Sequence, residues 1–117
     1  ASSTHYATLR DLLQSGINSN SKSAQSAAAR QICLAAFADE LAQYDAANVC
    51  KGLISMRTAA AQVYAYNLGN DIVGGQCTEF LCFFFRDPSK EVRQSASECF
   101  RHLDDSKLNQ YLPLIDC

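Results

Sequence analysis

The sequence predicts an all-α fold, and two observations carry this prediction. No segment alternates between apolar and polar residues with the period of two that a half-buried strand shows. Glycine and proline divide the chain into helix-length pieces, with no proline before Pro88. Because the 117 residues are 48% hydrophobic, the chain can bury a sizeable core. We expect about seven short helices that form a single helical-repeat domain over residues 1–117.

Three helices are expected in the first half of the chain. The first is expected to end at Gly16, and a polar turn follows it. The second is rich in alanine and is expected within residues 23–38, after which Asp39 can cap the third. The apolar stripe of the first helix comprises Tyr6, Leu9 and Leu13.

The second half begins with a fourth helix that is expected to close at Gly69. A loop is expected over residues 70–75, so that Gly74 and Gly75 precede the fifth helix. The turn of residues 87–89 places Pro88 at the expected first position of the sixth helix, where its fixed φ is tolerated. A final helix follows Asp104 and Asp105.

Three of these helices share one spacing. Each has an apolar residue at its start, an alanine four residues later and a larger apolar residue four residues after that. Each follows another amphipathic helix, so a two-helix unit repeats about three times, with a partial fourth. The small alanine lets the helices of a pair approach, and stacked pairs form a continuous core. We therefore predict an α-α superhelix of stacked antiparallel helix pairs; the alternative is a single helix bundle with coincidental spacing. The three sets are Ala24, Ala28 and Ile32; Met56, Ala60 and Tyr64; and Val92, Ala96 and Phe100.

The segment FFFRDPSKEVRQSA, residues 83–96, resembles a HEAT repeat. That family combines an apolar helix, a turn with Asp and Pro, and a helix with Val-Arg followed by Ala three residues on. The segment MRTAA, residues 56–60, is similar to the second half of the same signature, whereas the first unit has Gln25 at the arginine position. The resemblance implies that three residues form a structural ladder between the turns of neighbouring repeats, namely Arg57, Asp87 and Arg93.

More loosely, residues 56–68 followed by residues 77–103 look like the C-terminal helical region of bacterial STAND (NACHT-type) NTPases. In that family such repeats are the sensor that recognises a trigger. The resemblance implies that the chain is a piece of a larger protein, and the cysteines lead us to expect an intracellular, cytoplasmic location. A stacked array also exposes apolar ends unless they are capped, so we expect the chain to be a fragment.

The six cysteines have two interpretations. An even count in a short chain is compatible with a disulfide framework, and the corresponding protein would be a small secreted helical carrier of an apolar ligand. However, Cys33, Cys82 and Cys99 lie among apolar residues, and free cysteine is often buried as a small hydrophobe. We expect reduced core thiols, with the secreted six-cysteine carrier as the alternative.

Composition and motifs argue against several functional classes. The formal net charge of −2 and the pI near 5.5 disfavour nucleic-acid binding, and no apolar run is long enough for a membrane span. No phosphate-binding glycine loop and no Gly-x-Ser-x-Gly motif occur. The acidic pairs beginning at Asp39 and Asp104 are expected to cap helices. We therefore expect no enzymatic activity and no cofactor.

One set of residues, Cys77, Cys82, Cys99 and His102, has the side-chain types of a zinc site with three thiolates and one imidazole. On one helix, residues five apart point about 140° from each other. Cys77 and Cys82 are thus poorly placed as joint ligands, and we expect no metal. The other histidine, His5, is far away in the sequence, and both histidines are expected at the surface.

The remaining candidate site is the outward face of the second helix in each pair. Helical repeats use such a face to bind extended partners. Mixed polar side chains there fit a protein or peptide better than a phosphate group, although an ordinary solvated face is the simpler alternative. We expect a protein-interaction or sensor module whose candidate partner-binding residues are Ser26, Thr58 and Gln94 in one row and Arg30, Gln62 and Glu98 in another.

Overall fold

A computed structural model describes the backbone of residues 2–115 and the side chains of residue 8 and residues 10–113. The described chain is all-α, as predicted, with seven α-helices and one 3₁₀ turn. The side chains of His5, Tyr6, Leu9 and Cys117 lie outside the described residues. The elements are α1 (Ser2–Asn18), α2 (Lys22–Ala35), α3 (Glu40–Val49), α4 (Ile54–Asn67), α5 (Gly74–Phe84), α6 (Lys90–Ser97), the 3₁₀ turn (Glu98–Arg101) and α7 (Asp105–Ile115).

The chain divides into two compact units, residues 1–60 and 61–117, with the division inside α4. The expectation of one domain over the whole chain stays a prediction. None of the helices in the described part of the chain is both long and apolar enough to cross a bilayer.

In the first unit, α2 packs against α1 and α3, and α1 also contacts α3. Arg10 and Asp45 link α1 to α3 through an Nε–Oδ2 distance of 4.0 Å. Between α2 and the start of α4, the Ser55 hydroxyl donates to Gln25 Oε1 at 2.5 Å, and the Ser26 hydroxyl donates to the Ser55 carbonyl at 3.4 Å. The first helix of the first pair thus contacts the first helix of the second pair, and the second helix α2 contacts the second helix α4 at Ser55. Contacts of this kind occur between stacked pairs.

In the second unit, α5 packs against both α6 and α7. Its core contains the aromatic rings of Tyr64 and Phe84, which are almost fully buried, together with Leu81. Tyr64 also stacks on Phe80 with ring centroids 4.5 Å apart. The contact of α5 with α7 joins the first helix of the third pair to the partial fourth pair.

The central alanines of the repeat lie in the core, as predicted: Ala28, Ala60 and Ala96 are each 0% exposed. In the first pair the close approach is direct, because a methyl group on Gly16 would lie 2.7 Å from the Ala28 methyl carbon. The prediction that Gly16 ends the first helix is wrong, since α1 continues to Asn18. Gly16 provides space for α2 and has no positive φ.

The outer positions of the repeat are less regular than predicted. Ala24 is exposed, and Phe100 is 41% exposed whereas Cys99 is fully buried. The cause is the 3₁₀ turn, which advances about 120° per residue instead of about 100°. Cys99 therefore falls on the same face as Ala96, and Phe100 turns outward and stacks on Phe85 at a centroid distance of 6.0 Å.

Two helix starts follow the predicted caps. The Asp39 carboxylate accepts from the Leu41 amide at 2.9 Å, before α3, and the Asp104 carboxylate accepts from the Lys107 amide at 2.8 Å, in the first turn of α7. These bonds satisfy amides that have no partner within the helix.

Two other predicted starts are wrong. Pro88 is not the first residue of the sixth helix, because α6 begins at Lys90. Gly74 and Gly75 are not in a loop, because they form the first turn of α5. Gly74 is buried against Tyr111, and that packing explains its lack of a side chain.

Candidate binding face

The outer face of α6 and of the following 3₁₀ turn forms an open recess of about 610 Å³. We call it the α6 recess. Its residues are spaced by three and four positions, so they share one side of the helix. The recess brings together two of the predicted partner-binding residues, Gln94 and Glu98. Its lining consists of Lys90, Arg93, Gln94, Ser97, Glu98 and Arg101.

The sequence of α6 explains why this face points outward. Val92 and Ala96, four residues apart, are both fully buried and fix the opposite side of the helix against the core. In contrast, Gln94 and Ser97 are exposed, and the Ser97 hydroxyl donates to the Arg93 carbonyl at 2.9 Å. The recess therefore stands on a helix whose inner face is anchored by packing.

Arg93 is held in place by the turn that precedes its helix. Its Nη1 donates to the Asp87 carbonyl oxygen at 2.6 Å, while the buried Asp87 carboxylate accepts from the Ser89 amide at 2.9 Å. Arg57 does the same in the preceding pair, where its Nη1 donates to the Gly52 carbonyl at 2.6 Å. Both arginines thus bind the turn before their own helix. The predicted ladder of Arg57, Asp87 and Arg93 between neighbouring repeats stays a prediction.

The charge of the α6 recess differs in sign from that of the chain. Three basic residues against one acidic residue leave a formal charge of +2, whereas the whole chain carries −2. Arg101 Nε lies 3.4 Å from Glu98 Oε2, and the two side chains are 77% and 44% exposed. An exposed pair of this kind contributes little to stability, so both groups can exchange partners.

The other four predicted site residues lie elsewhere. Arg30 and Gln62 are exposed. Ser26 is half-buried and bonded to the Ser55 carbonyl, and Thr58 is half-buried, with a buried hydroxyl oxygen that has no hydrogen-bond partner. The first row is thus less accessible than predicted at these two positions.

Sequence reasoning missed four members of the recess as binding residues. Arg93 was assigned only a structural role, and Lys90, Ser97 and Arg101 were not singled out. The sequence does contain a pattern that could have identified them, because these four residues are spaced three or four positions from Gln94, Glu98 or one another and so share one helix face. The sequence does not predict which residues after Ser97 continue this helix face, because the 3₁₀ turn changes which side chains point outward.

The cysteines contribute no reactive group to this site. The five that the structure describes form no disulfide with one another, and burial raises the pKa of Cys77 to about 12 and of Cys99 to about 11. These two thiols stay protonated at neutral pH, and a protonated thiol is a poor nucleophile. Within the described part of the chain, no group of three or more His, Cys, Asp or Glu residues could hold a metal ion. His102 is exposed, in an edge contact with Tyr66 at 5.2 Å.

Comparison of the chain with protein-family models, curated proteins and solved structures found no match. The resemblances to HEAT repeats and to STAND sensor regions therefore both stay predictions.

Proposed function

We propose that this chain is a non-catalytic, HEAT-like protein-interaction or sensor module, and that its partner binds along the α6 recess. The observation that carries the proposal is the recess itself, where Gln94 and Glu98 lie beside four further polar side chains on one helix face. An amide, a hydroxyl, a carboxylate and cationic groups in one recess can hydrogen-bond both the backbone and the side chains of a peptide.

The helical-repeat architecture supports the same proposal. A repeat protein presents its second helices side by side, and extended partners lie across them. Because α6 is the second helix of its pair, its outer face is a natural place for such a partner. Arg30 and Gln62 occupy equivalent exposed positions on the second helices α2 and α4, and we include them as secondary candidates.

We further propose a cytoplasmic location within a larger intracellular protein. The resemblance to STAND sensor regions supports the larger protein, and buried, reduced thiols suit a reducing compartment. The secreted six-cysteine carrier requires three disulfides. Three disulfides among six cysteines need at least two pairs within Cys33, Cys50, Cys77, Cys82 and Cys99, and these five form no disulfide with one another.

The test is a displayed library of random dodecapeptides selected against the whole chain. The selected peptide is then titrated calorimetrically into the wild type and into Gln94→Ala. Loss of one amide hydrogen bond should weaken binding about three- to tenfold.

Gln43→Ala is the matched control, since Gln43 is an exposed glutamine on α3 outside the recess, and its affinity should equal that of the wild type. The proposal fails if selection yields no peptide that binds the folded chain. It also fails if Gln43→Ala weakens binding as much as Gln94→Ala does.

A further inference from the structure

We propose that the α6 recess binds an acidic peptide segment through alternate carboxylates. This inference rests on the proposed function and specifies the partner's chemistry. Three cationic side chains, Lys90, Arg93 and Arg101, line one recess, and Glu98 is the one acidic residue of that lining. Guanidinium and ammonium groups bind carboxylates through charge-assisted hydrogen bonds, which are stronger than bonds between neutral groups.

The length of the recess sets the length of the segment. From Lys90 to Arg101 the helix and the 3₁₀ turn rise about 18 Å, at roughly 1.5 Å and 2.0 Å per residue. An extended peptide covers about 3.4 Å per residue, so five or six residues span this distance. Because alternate side chains of an extended segment point the same way, a five-residue segment can present three carboxylates on one side. The first and the last of them, about 14 Å apart, match the axial separation of about 14 Å between Arg93 and Arg101.

Arg93 is the pre-organised contact. Its Nη1 is fixed on the Asp87 carbonyl at 2.6 Å, and a guanidinium has five N–H donors, so further donors remain for a ligand. Binding to a side chain that is already held in place loses less conformational entropy than binding to a mobile one.

Glu98 acts against the ligand. It lies 3.4 Å from Arg101 in an exposed pair, so an incoming carboxylate must displace it and is also repelled by it. Glu98 therefore lowers the affinity for an acidic segment, and its removal should raise that affinity. If Glu98 itself binds the partner, its removal should instead lower the affinity. The direction of the change in affinity therefore distinguishes the two kinds of partner.

The observations favour a peptide over a nucleic acid. The lining of the recess has a formal charge of +2, whereas the whole chain carries −2. A long polyanion would extend onto surface whose summed charge is negative, whereas a five-residue segment ends within the recess. Affinity for nucleic acid needs many phosphate contacts, and three cations supply few.

The experiment measures the fluorescence anisotropy of a fluorescein-labelled Asp-Ser-Asp-Ser-Asp peptide titrated with the full chain. Arg101→Gln should weaken binding about two- to fivefold, and Glu98→Gln should strengthen it about threefold, since exposed charge pairs have energies up to about 1 kcal/mol, which is about fivefold in affinity. Added salt should weaken the binding. Lys51→Gln is the control, since it removes one positive charge from an exposed position in the first unit, and it should leave the affinity unchanged.

The proposal is overturned if Arg101→Gln has no effect, if Glu98→Gln weakens binding, or if Lys51→Gln matches Arg101→Gln. Tighter binding of a labelled oligodeoxythymidine pentamer, or of phosphatidylserine vesicles, than of the acidic peptide also overturns it. If peptides from the displayed library bind at the recess but the Asp-Ser probe does not, the acidic partner is wrong and the proposed function stands.

Discussion

Gly74 and Gly75 are adjacent in the first turn of α5 but have opposite surroundings. A methyl group on Gly74 would lie 2.7 Å from the Leu68 carbonyl oxygen and would overlap the Tyr111 hydroxyl, whereas one on Gly75 would meet no atom within 4 Å. Neither glycine has a positive φ. The difference between them is therefore one of space alone.

We expect Gly74→Ala to lower the free energy of unfolding by about 1–3 kcal/mol, as overpacking does. Gly75→Ala should raise it by about 0.5–1 kcal/mol, because alanine loses less backbone entropy in a helix. Urea denaturation of both variants measures this difference. Equal stabilities would contradict the packing of Tyr111 against the start of α5.

At the residue scale, sequence predicted what depends on near neighbours along the chain. The caps at Asp39 and Asp104 were predictable because a capping side chain binds an amide two or three residues away. The roles of Gly16 and Gly74 were not, because each depends on a residue of another helix, Ala28 and Tyr111. Both glycines were expected to lie at helix ends or in loops, and in the structure both lie within helices where another helix packs closely against them.

The contact between α1 and α2 provides a test at the scale of the element. Gly16→Ala should destabilise the chain, since the new methyl group would lie 2.7 Å from the Ala28 methyl carbon and overpacking costs about 1–3 kcal/mol. Ala28→Gly alone should cost about 1 kcal/mol through helix propensity. In the double variant, residue 16 carries the methyl group and residue 28 carries none, so the overlap is absent. The double variant should therefore lose less free energy of unfolding than the sum of the two single variants.

A double-mutant cycle by urea denaturation measures this coupling. Additive effects within about 0.5 kcal/mol would mean that the two helices do not meet at these positions.

The helices themselves were predictable because their apolar periodicity is local. Their irregular ends were less so. The 3₁₀ turn after α6 places Cys99 inside and lets Phe100 stack on Phe85, a contact between residues on different elements. In the third repeat, Ala96 is therefore buried as predicted, whereas Phe100, the last apolar residue of the repeat, points outward.

At the scale of the whole molecule, the helix order and the contacts within each unit follow the pattern of paired helices. The candidate site was predicted as two rows along three helices, and the structure places two of the six residues, Gln94 and Glu98, in a single recess. The chain's net charge of −2 does not predict the positive charge of that recess, because a net charge is a sum over the chain and carries no information about local clusters.

The central claim is that a partner binds along the outer face of α6. Hydrogen exchange of the whole chain, with and without a saturating peptide from the displayed library, tests it most directly. We predict slower exchange in Lys90–Ser97 and Glu98–Arg101, because a bound partner suppresses local opening there, with little change in the backbone amides of α1. Protection that is confined to α1 or α3, with unchanged exchange in α6, would contradict the account.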